Sequence, residues 1–508
     1  MTDHDPNAGQ MKAVDAQRAV RNVGVLLGAS LLSKGLLFFW QIILNNWLGP
    51  TESGIYSTVL GLFAVITPLT GLSMGMIAIR QVAKFPEKIG QYATTMLFTQ
   101  TALSGVAYIV MIITGALYGG DILAYSAVIG LSLIVDTFGS IANDLFIAQE
   151  KMVVTSIVEI AHVVLRVSLA WFALSLGWGL PGVYLAMLFT GILRTSVLWL
   201  LLINQDWSLD WQIDWQGIGI PMIIDMLPLA LGAMLSLGYD HADKLMMTGI
   251  IGTTNTGYLN PAFLIHFGII ELFSTAILVA MYPLMSRYHS ADENDTFGFI
   301  VEKLMRFMLM LALPVTLGLT VFSDDVVRLI FTDDFLPTIP ILRVYVWYTL
   351  LTLVSNVFAK ALLVQNRQRY ILAVTASALT LNIIVNYILL TQTGDPIGAA
   401  IASVLAQALA LVLLAQTFRA NGFDWLRIIP SLFRLALVGA IATGVMIVVG
   451  EFQWIVGLVV GSIIYMMGIF FGQILSVADW DLLYRLVGAM PAGSFILRYW
   501  QRDLSKQG

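Results

Sequence analysis

The chain has 508 residues, 58% of them hydrophobic and only 11% charged, with a formal net charge of −5. Soluble domains run about 45–50% apolar and about 25% charged, so these charges are too few to cover a soluble surface of this length, and lipid must cover it instead. Cysteine is absent, which excludes disulfides and thiolate metal sites.

The first twenty residues are polar and lack the pattern of a cleaved signal, so the first apolar run is expected to stay as a span. A helix needs about 20 apolar residues to cross the hydrocarbon core, and about fourteen runs qualify. The first six are Asn22–Leu48, Ile55–Ala78, Tyr92–Leu117, Ile122–Ile147, Val153–Leu176 and Val183–Ile203. Ile220–Met247, Tyr258–Met285, Leu304–Phe322, Ile339–Leu363, Tyr370–Leu390 and Ile397–Thr417 form a second set, and Leu432–Val449 and Trp454–Leu475 close the series. Alternate connections carry Arg80, Lys84 and Lys88, then Lys151, Arg287, Arg367 with Arg369, and Arg419 with Arg427. By the excess of basic residues on the inner side, those connections and both termini are expected to be cytoplasmic. Two details depart from the pattern: Arg328 lies in a loop otherwise acidic (Asp324, Asp325, Asp333, Asp334), and the connection after the sixth span has no basic residue.

The chain repeats itself. Gly49-Pro-Thr-Glu-Ser-Gly54 after the first span resembles Gly252-Thr-Thr-Asn-Thr-Gly257 after the seventh. Gln149 and Gln365, and likewise Gly182 and Gly398, stand 216 residues apart. The expected architecture is an all-α polytopic membrane protein of about 14 transmembrane helices: two six-helix lobes related as parallel repeats, plus two additional C-terminal helices. Its segments are a tail (1–21), an N-lobe (22–205), an interfacial linker (206–219), a C-lobe (220–420), spans 13 and 14 (421–477) and an amphipathic tail (478–508). In the linker, Trp207, Trp211 and Trp215 recur every four residues while Leu209 and Ile213 interleave them, so the pattern suits a helix face or a strand alike.

Ser30-Leu-Leu-Ser33-Lys34-Gly35 running on to Leu48-Gly49-Pro50 and Gly54-Ile-Tyr56, then Ala242-Asp243-Lys244 with Gly252 and Gly257-Tyr258, and Gly394-Asp-Pro-Ile-Gly398, together resemble oligosaccharide-lipid flippases. These form the polysaccharide-transporter branch of the multidrug/oligosaccharidyl-lipid/polysaccharide exporter superfamily. The resemblance implies a carrier, not an enzyme. It would move undecaprenyl-pyrophosphate-linked oligosaccharide from the inner to the outer leaflet of the cytoplasmic membrane by alternating access. It also implies, as pathway partners, a polysaccharide polymerase and glycosyltransferases; nothing points to nucleic acid. Lipid II flippases share the Ser30, Ser33, Lys34 opening but then usually carry an Arg-Asp pair, where this chain has Trp40-Gln41. A multidrug or cation antiporter of the same superfamily is a further alternative, and a membrane glycosyltransferase or polymerase a more distant one.

A charge at mid-bilayer costs about 2.5–3.5 kcal/mol on insertion scales, so charges inside the spans are expected to face the protein interior. The candidates for substrate contact are Lys34, Arg166, Arg194, Lys244 and Lys360, with Asn382 and Asn386 placed to read sugar hydroxyls. Candidates for ion coupling are Asp225, Asp240, Asp243, Glu159 and His162; Asp136, Glu271 and His266 are further titratable groups within spans. Glu159, His162 and Arg166 fall at i, i+3 and i+7, on one helix face, where they can neutralise one another or touch substrate. Asp240 and Lys244, at i and i+4, are placed to pair. Lys34 lies half-way along the first span, and its own helix supplies no carboxylate, so its partner must come from another span or from the ligand. The phosphate-cradling pattern G-x-x-x-x-G-K-[ST] is absent from the chain, so no nucleotide cofactor is expected, and H⁺ or Na⁺ is the expected coupling ion.

Overall fold

The computed structural model describes residues 6–71, 74–204, 213–291, 293–420 and 423–472. Sixteen α-helices run through them: α1 (Pro6–Ile66), α2 (Met74–Lys84), α3 (Ile89–Tyr118), α4 (Gly120–Ala148), α5 (Met152–Ser175), α6 (Gly179–Ile203), α7 (Ile220–Ile251) and α8 (Thr253–Ile269). Then follow α9 (Ala276–Ser290), α10 (Asn294–Val321), α11 (Ser323–Ile330), α12 (Thr338–Val364), α13 (Gln368–Thr393), α14 (Ile397–Thr417), α15 (Trp425–Gly450) and α16 (Trp454–Phe471). No strand occurs among the described residues. Thirteen helical segments among the described residues are long and apolar enough to cross a membrane. The first of them, Leu32–Thr70, holds the first two expected spans on either side of a kink at Gly49 (φ 70°, ψ 177°), which restores the expected fourteen. Positive φ is open to glycine, and Pro50 removes the next backbone donor, so the helix turns there. The chain is a multi-pass, all-helical membrane protein.

It divides into two compact units, Met1–Gly257 and Tyr258–Gly508. The division falls one span later than the linker at 206–219, because α7 packs along α1. In the first unit the turns at Gly49 and Gly252 interlock. A Cβ added at Gly54 would collide with the carbonyl of Thr253, and one at Gly257 with that of Pro50. Thr51 and Thr254 meet at 2.9 Å between hydroxyls, and below them Thr58, Thr248 and Thr256 form a buried relay at 2.6 and 2.8 Å. The core there is built by Trp40, Leu44, Tyr56 and Val59 of α1 with Leu133 of α4 and Tyr184 of α6.

In the second unit α12 is the central helix, packed by α9, α10, α13 and α14. The two added helices lie on α10: Tyr465 of α16 donates to the carbonyl of Met310 at 3.1 Å, and Gly439 of α15 faces Leu313 and Leu317.

Several expected boundaries move. The second span is not continuous to Ala78. It leaves the α form at Ile66, runs as a 3₁₀ turn over Thr67–Thr70 with Pro68 at its start, and stops at Gly71 with φ 89°. The eighth span passes through a π segment, Ile270–Thr275, which carries Glu271; such segments are frequent at functional sites. The ninth begins at Asn294, ten residues before the apolar run, because Glu302 pairs with Arg306 inside it at 3.2 Å. The acidic connection Ser323–Pro337 folds into α11 and a 3₁₀ turn (Asp333–Phe335) that buries Val327 and Phe335. Of the linker, Trp215–Gly219 is a π-helix capped by the Asp214 carboxylate; Trp207, Leu209 and Trp211 lie outside the described residues, as does the tail at 478–508.

Candidate functional site: a charged interior in the first unit

Five charged or titratable side chains meet between α4, α5 and α6. On α5, Glu159, His162 and Arg166 share a face, as their spacing requires. The exposed apolar side chains Ile157, Val164 and Trp171 lie on the opposite face. On α6, Arg194 is likewise opposite Leu185, Phe189 and Ile192. The charges therefore point away from the faces suited to lipid. Arg194 Nε stands 3.0 Å from Glu159 Oε2, and His162 Nδ1 stands 4.0 Å from Glu159 Oε1. The guanidinium is mostly covered (17% exposed) while the carboxylate is open at 41%. Asp136 of α4 lies in the field of Arg194, His162 and Arg166 and of the like-charged Glu159.

The neighbouring helices hold this arrangement in register. Thr195 donates to the carbonyl of Val135 at 3.1 Å and Trp199 Nε1 to that of Phe138 at 3.0 Å, locking α6 against α4 beside Asp136 and Arg194. Two glycines make the room: a Cβ at Gly139 would come within 3.1 Å of Arg194 Nη1, and one at Gly191 within 3.5 Å of Asp136 Oδ1.

Lys34 stands fifteen residues before Gly49, Asp136 sixteen after Gly120, Glu159 sixteen before Ser175 and Arg194 fifteen after Gly179. At ~1.5 Å per residue all four share a depth of about 22–24 Å along their helices. Lys34 is exposed on α1, and Gln41, seven residues further along the same face, donates to the hydroxyl of Tyr56 at 3.1 Å. Trp40, by contrast, is 3% exposed and packs in the core.

The other candidates lie elsewhere. Lys244 and Asp243 of α7 are buried side by side in the chain, with Asp240 one turn before Lys244. Asp225 and Asp240 are exposed on α7, and Lys360 is exposed one turn from the end of α12. Asn382 and Asn386 are buried in the second unit, where Asn386 Nδ2 donates to Asn382 Oδ1 at 2.9 Å. His266, also in the second unit, bonds Thr349 at 3.0 Å and lies against Tyr348.

Two polar features were not anticipated. Asp144 of α4 packs directly against Gly75 of α2, and its signal was its place inside the fourth apolar run. The Glu302–Arg306 pair was signalled only by its i, i+4 spacing, just ahead of the run that begins at Leu304.

The fold of this chain is that of known carriers. A lipid II flippase (MurJ, inward closed conformation) matches 89% of this chain and 99% of its own with a TM-score of 0.70 at 15% identity. An inward-facing multidrug resistance transporter of the MATE family matches 78% of this chain and 99% of its own, with a TM-score of 0.60 at 15% identity. A probable low-salt glycan biosynthesis flippase, Agl15 of Haloferax volcanii, is 27% identical over 145 residues, so this chain matches 30% of that relative's length and 28% of its own. The family described as polysaccharide biosynthesis protein matches residues 43–340, more than half of the chain, and the chain belongs to that family.

Proposed function

We propose that this protein is a flippase carrying undecaprenyl-pyrophosphate-linked oligosaccharide from the inner to the outer leaflet of the cytoplasmic membrane by alternating access. The observation that carries the reading is the charged interior of α4, α5 and α6, in a chain of the polysaccharide biosynthesis family with a carrier's fold. A pyrophosphate headgroup is multiply negative, and taking it from water into the membrane needs cations to replace its hydration. Arg166 and Arg194, with Lys34 at the same depth as Arg194, supply such cations. Both termini lie in the cytoplasm under this reading, and the polymerase and glycosyltransferases of the pathway are its partners. Resetting the carrier takes H⁺ or Na⁺. The exposed Asp225 and Asp240 of α7, the buried Asp243 three residues after Asp240, and Glu159 with His162 are the groups to bear it.

Proteoliposomes containing a fluorescent undecaprenyl-pyrophosphate oligosaccharide test this directly. An impermeant glycosidase should reach the inner-leaflet pool faster with the protein than without it, and Arg194→Gln should remove most of the difference. A rate equal to that of protein-free liposomes overturns the reading.

Lipid II as cargo is favoured by the Ser30, Ser33, Lys34 opening and by the likeness to a lipid II flippase fold. Against it, the positions where those proteins carry an Arg-Asp pair hold Trp40, a packing residue, and Gln41, which is engaged with Tyr56. Labelled lipid II in the same liposomes separates the two cargoes.

A further inference from the structure

We propose that Glu159 is a built-in stand-in for the cargo's phosphate: it occupies Arg194 in the empty carrier, and the incoming anion displaces it. This rests on the lipid-linked cargo proposed above and names how that cargo is admitted.

Asp136 and Glu159 supply two negative charges and Arg166 and Arg194 two positive ones, with His162 as the fifth group. An empty cluster of this kind is close to neutral, which lets it sit inside a membrane. The same neutrality gives it little net pull on an anion. A polyanion binds well only if one of the cluster's own carboxylates withdraws.

Geometry says which one. Asp136 is half-buried against α6, near Gly191, with α4–α6 hydrogen bonds from Val135 and Phe138 on either side of it in the chain. Glu159 is the open member of the pair, at 41% exposure against 17% for Arg194. The pair is therefore accessible from the carboxylate side, the side from which a competing anion would arrive. A guanidinium presents several N–H donors in a planar fork and accepts carboxylate or phosphate in the same geometry, so the exchange needs no rebuilding of α6.

A place for the displaced carboxylate is already present. His162 Nδ1, on the same helix, lies 4.0 Å from Oε1, the other carboxylate oxygen of Glu159. A rotamer change at Glu159 lets it leave Arg194 and close on His162. The cluster then presents Arg194 and Arg166 to the cargo while Glu159 remains satisfied.

The test is binding to the purified full-length protein in phosphatidylcholine nanodiscs, with undecaprenyl pyrophosphate and inorganic pyrophosphate as separate probes. Glu159→Gln, which removes the competitor, should tighten both by about three- to fivefold, the range of a half-exposed ion pair. In an Arg194→Gln background the same change should have no effect, because the competitor acts only through Arg194. A merely structural pair predicts the reverse: Glu159→Gln lowers thermal stability and leaves affinity unchanged or weaker. Unchanged or weaker binding in a well-folded Glu159→Gln overturns the proposal. Should that variant fail to accumulate, Glu159→Asp keeps the charge, shortens the reach and carries the same prediction at smaller amplitude. Wild-type protein that binds inorganic pyrophosphate but not the lipid overturns the cargo, while the Glu159→Gln arm still decides the stand-in. Binding of neither probe by either protein overturns both.

Discussion

The α5–α6 hairpin of the first unit and the α13–α14 hairpin of the second share one backbone plan but carry different interiors. Their register is fixed by matching details 216 residues apart. Glu150 and Asn366 both take a left-handed φ (61° and 57°) after the helices that precede them. Lys151 and Arg367 both donate back to the residue five positions earlier, at 2.9 Å. Gly182 packs on Ala173, and Gly398 on its counterpart Leu389. Within this register Glu159, His162, Arg166 and Arg194 correspond to Thr375, Ala378, Asn382 and Ala410. The exchange is reciprocal. Gly139 and Gly191, which clear space for Arg194 and Asp136, correspond to Ser355 and Gln407, while Asp136 itself corresponds to Thr352. Each unit fills the same interhelical volume, one with charge laid over glycine and the other with larger neutral residues over small ones. Packing alone is satisfied by the second solution. The first answers to something other than packing.

The largest effect should come from moving a charge between the units. Ala410 is 5% exposed, and its matching neighbours Thr352 and Thr375 offer no carboxylate. Ala410→Arg therefore leaves a guanidinium uncompensated at a cost of about 2.5–3.5 kcal/mol, and membrane abundance should fall sharply. Adding Thr375→Glu should recover part of it. Arg194→Ala in the first unit should cost less, about 1–3 kcal/mol, since the carboxylate it abandons is partly open to solvent. Full abundance of Ala410→Arg would show that the second interior tolerates charge and would dissolve the distinction.

A smaller effect separates the two glycine positions. A methyl at Gly139 would meet Thr195 Oγ1 at 2.7 Å and Arg194 Nη1 at 3.1 Å. Gly139→Ala should destabilise by about 1–3 kcal/mol through overpacking and reduce transport by shifting the guanidinium. Ser355→Ala, its counterpart, removes a buried hydroxyl that makes no hydrogen bond. That change should fall within about 0.5 kcal/mol of neutral. Thermal unfolding in detergent measures both, and equal losses would mean that Arg194 does not depend on the space at Gly139.

How much of this was legible without coordinates follows from the same contrast. Period and length placed the spans and their order, because lipid burial imposes an apolar run that nothing else in a chain this size produces. The shared face of Glu159, His162 and Arg166 could be read from spacing, since one helix sets it. The partner of Arg194 could not: Glu159 is on another helix, and spacing along the chain says nothing about which face of α6 meets α5. The role of Gly139 was invisible for the same reason. The break at Gly71 was in principle readable from Pro68 and Gly71, but the apolar run continuing to Ala78 masked it. At Glu302 the opposite error occurred, where charges that pair inside the helix hid its true beginning.

A further test has no energetic cost and addresses the repeat itself. Ser175 and Thr391 are counterparts at one end of the hairpins, and Glu150 and Asn366 at the other; all four are exposed. Cysteines at Ser175 and Thr391 should both react with an impermeant thiol reagent added outside intact cells, and those at Glu150 and Asn366 should not. Opposite labelling within either pair would mean that the repeats are inverted, not parallel.

The smallest effect is expected at Arg328, a basic residue that breaks the inside-positive pattern. The first unit joins α3 to α4 through Gly119 alone, whereas the second inserts α11 and the acidic 3₁₀ turn between α10 and α12. Arg328 belongs to that insertion. Its Nε donates to Asp324 Oδ2 at 3.0 Å, one turn back on α11, and Asp324 with Asp333 and Asp325 holds the guanidinium above its already high ordinary pKa. Raising a basic group that is charged at every accessible pH adds no pH dependence: its folded and unfolded forms both stay protonated through the physiological range. Its charge is also cancelled locally, so it does not act as a retention signal on the side where it lies. Arg328→Ala should therefore leave the labelling at Thr391, the abundance and the transport rate unchanged. Neutralising the partners instead, with Asp324, Asp325 and Asp333 all changed to Asn, exposes the cation and should lower the fraction of chains labelled at Thr391 from outside. If Arg328→Ala alone alters that fraction, the pairing with Asp324 does not neutralise it, and the orientation of the second unit needs another explanation.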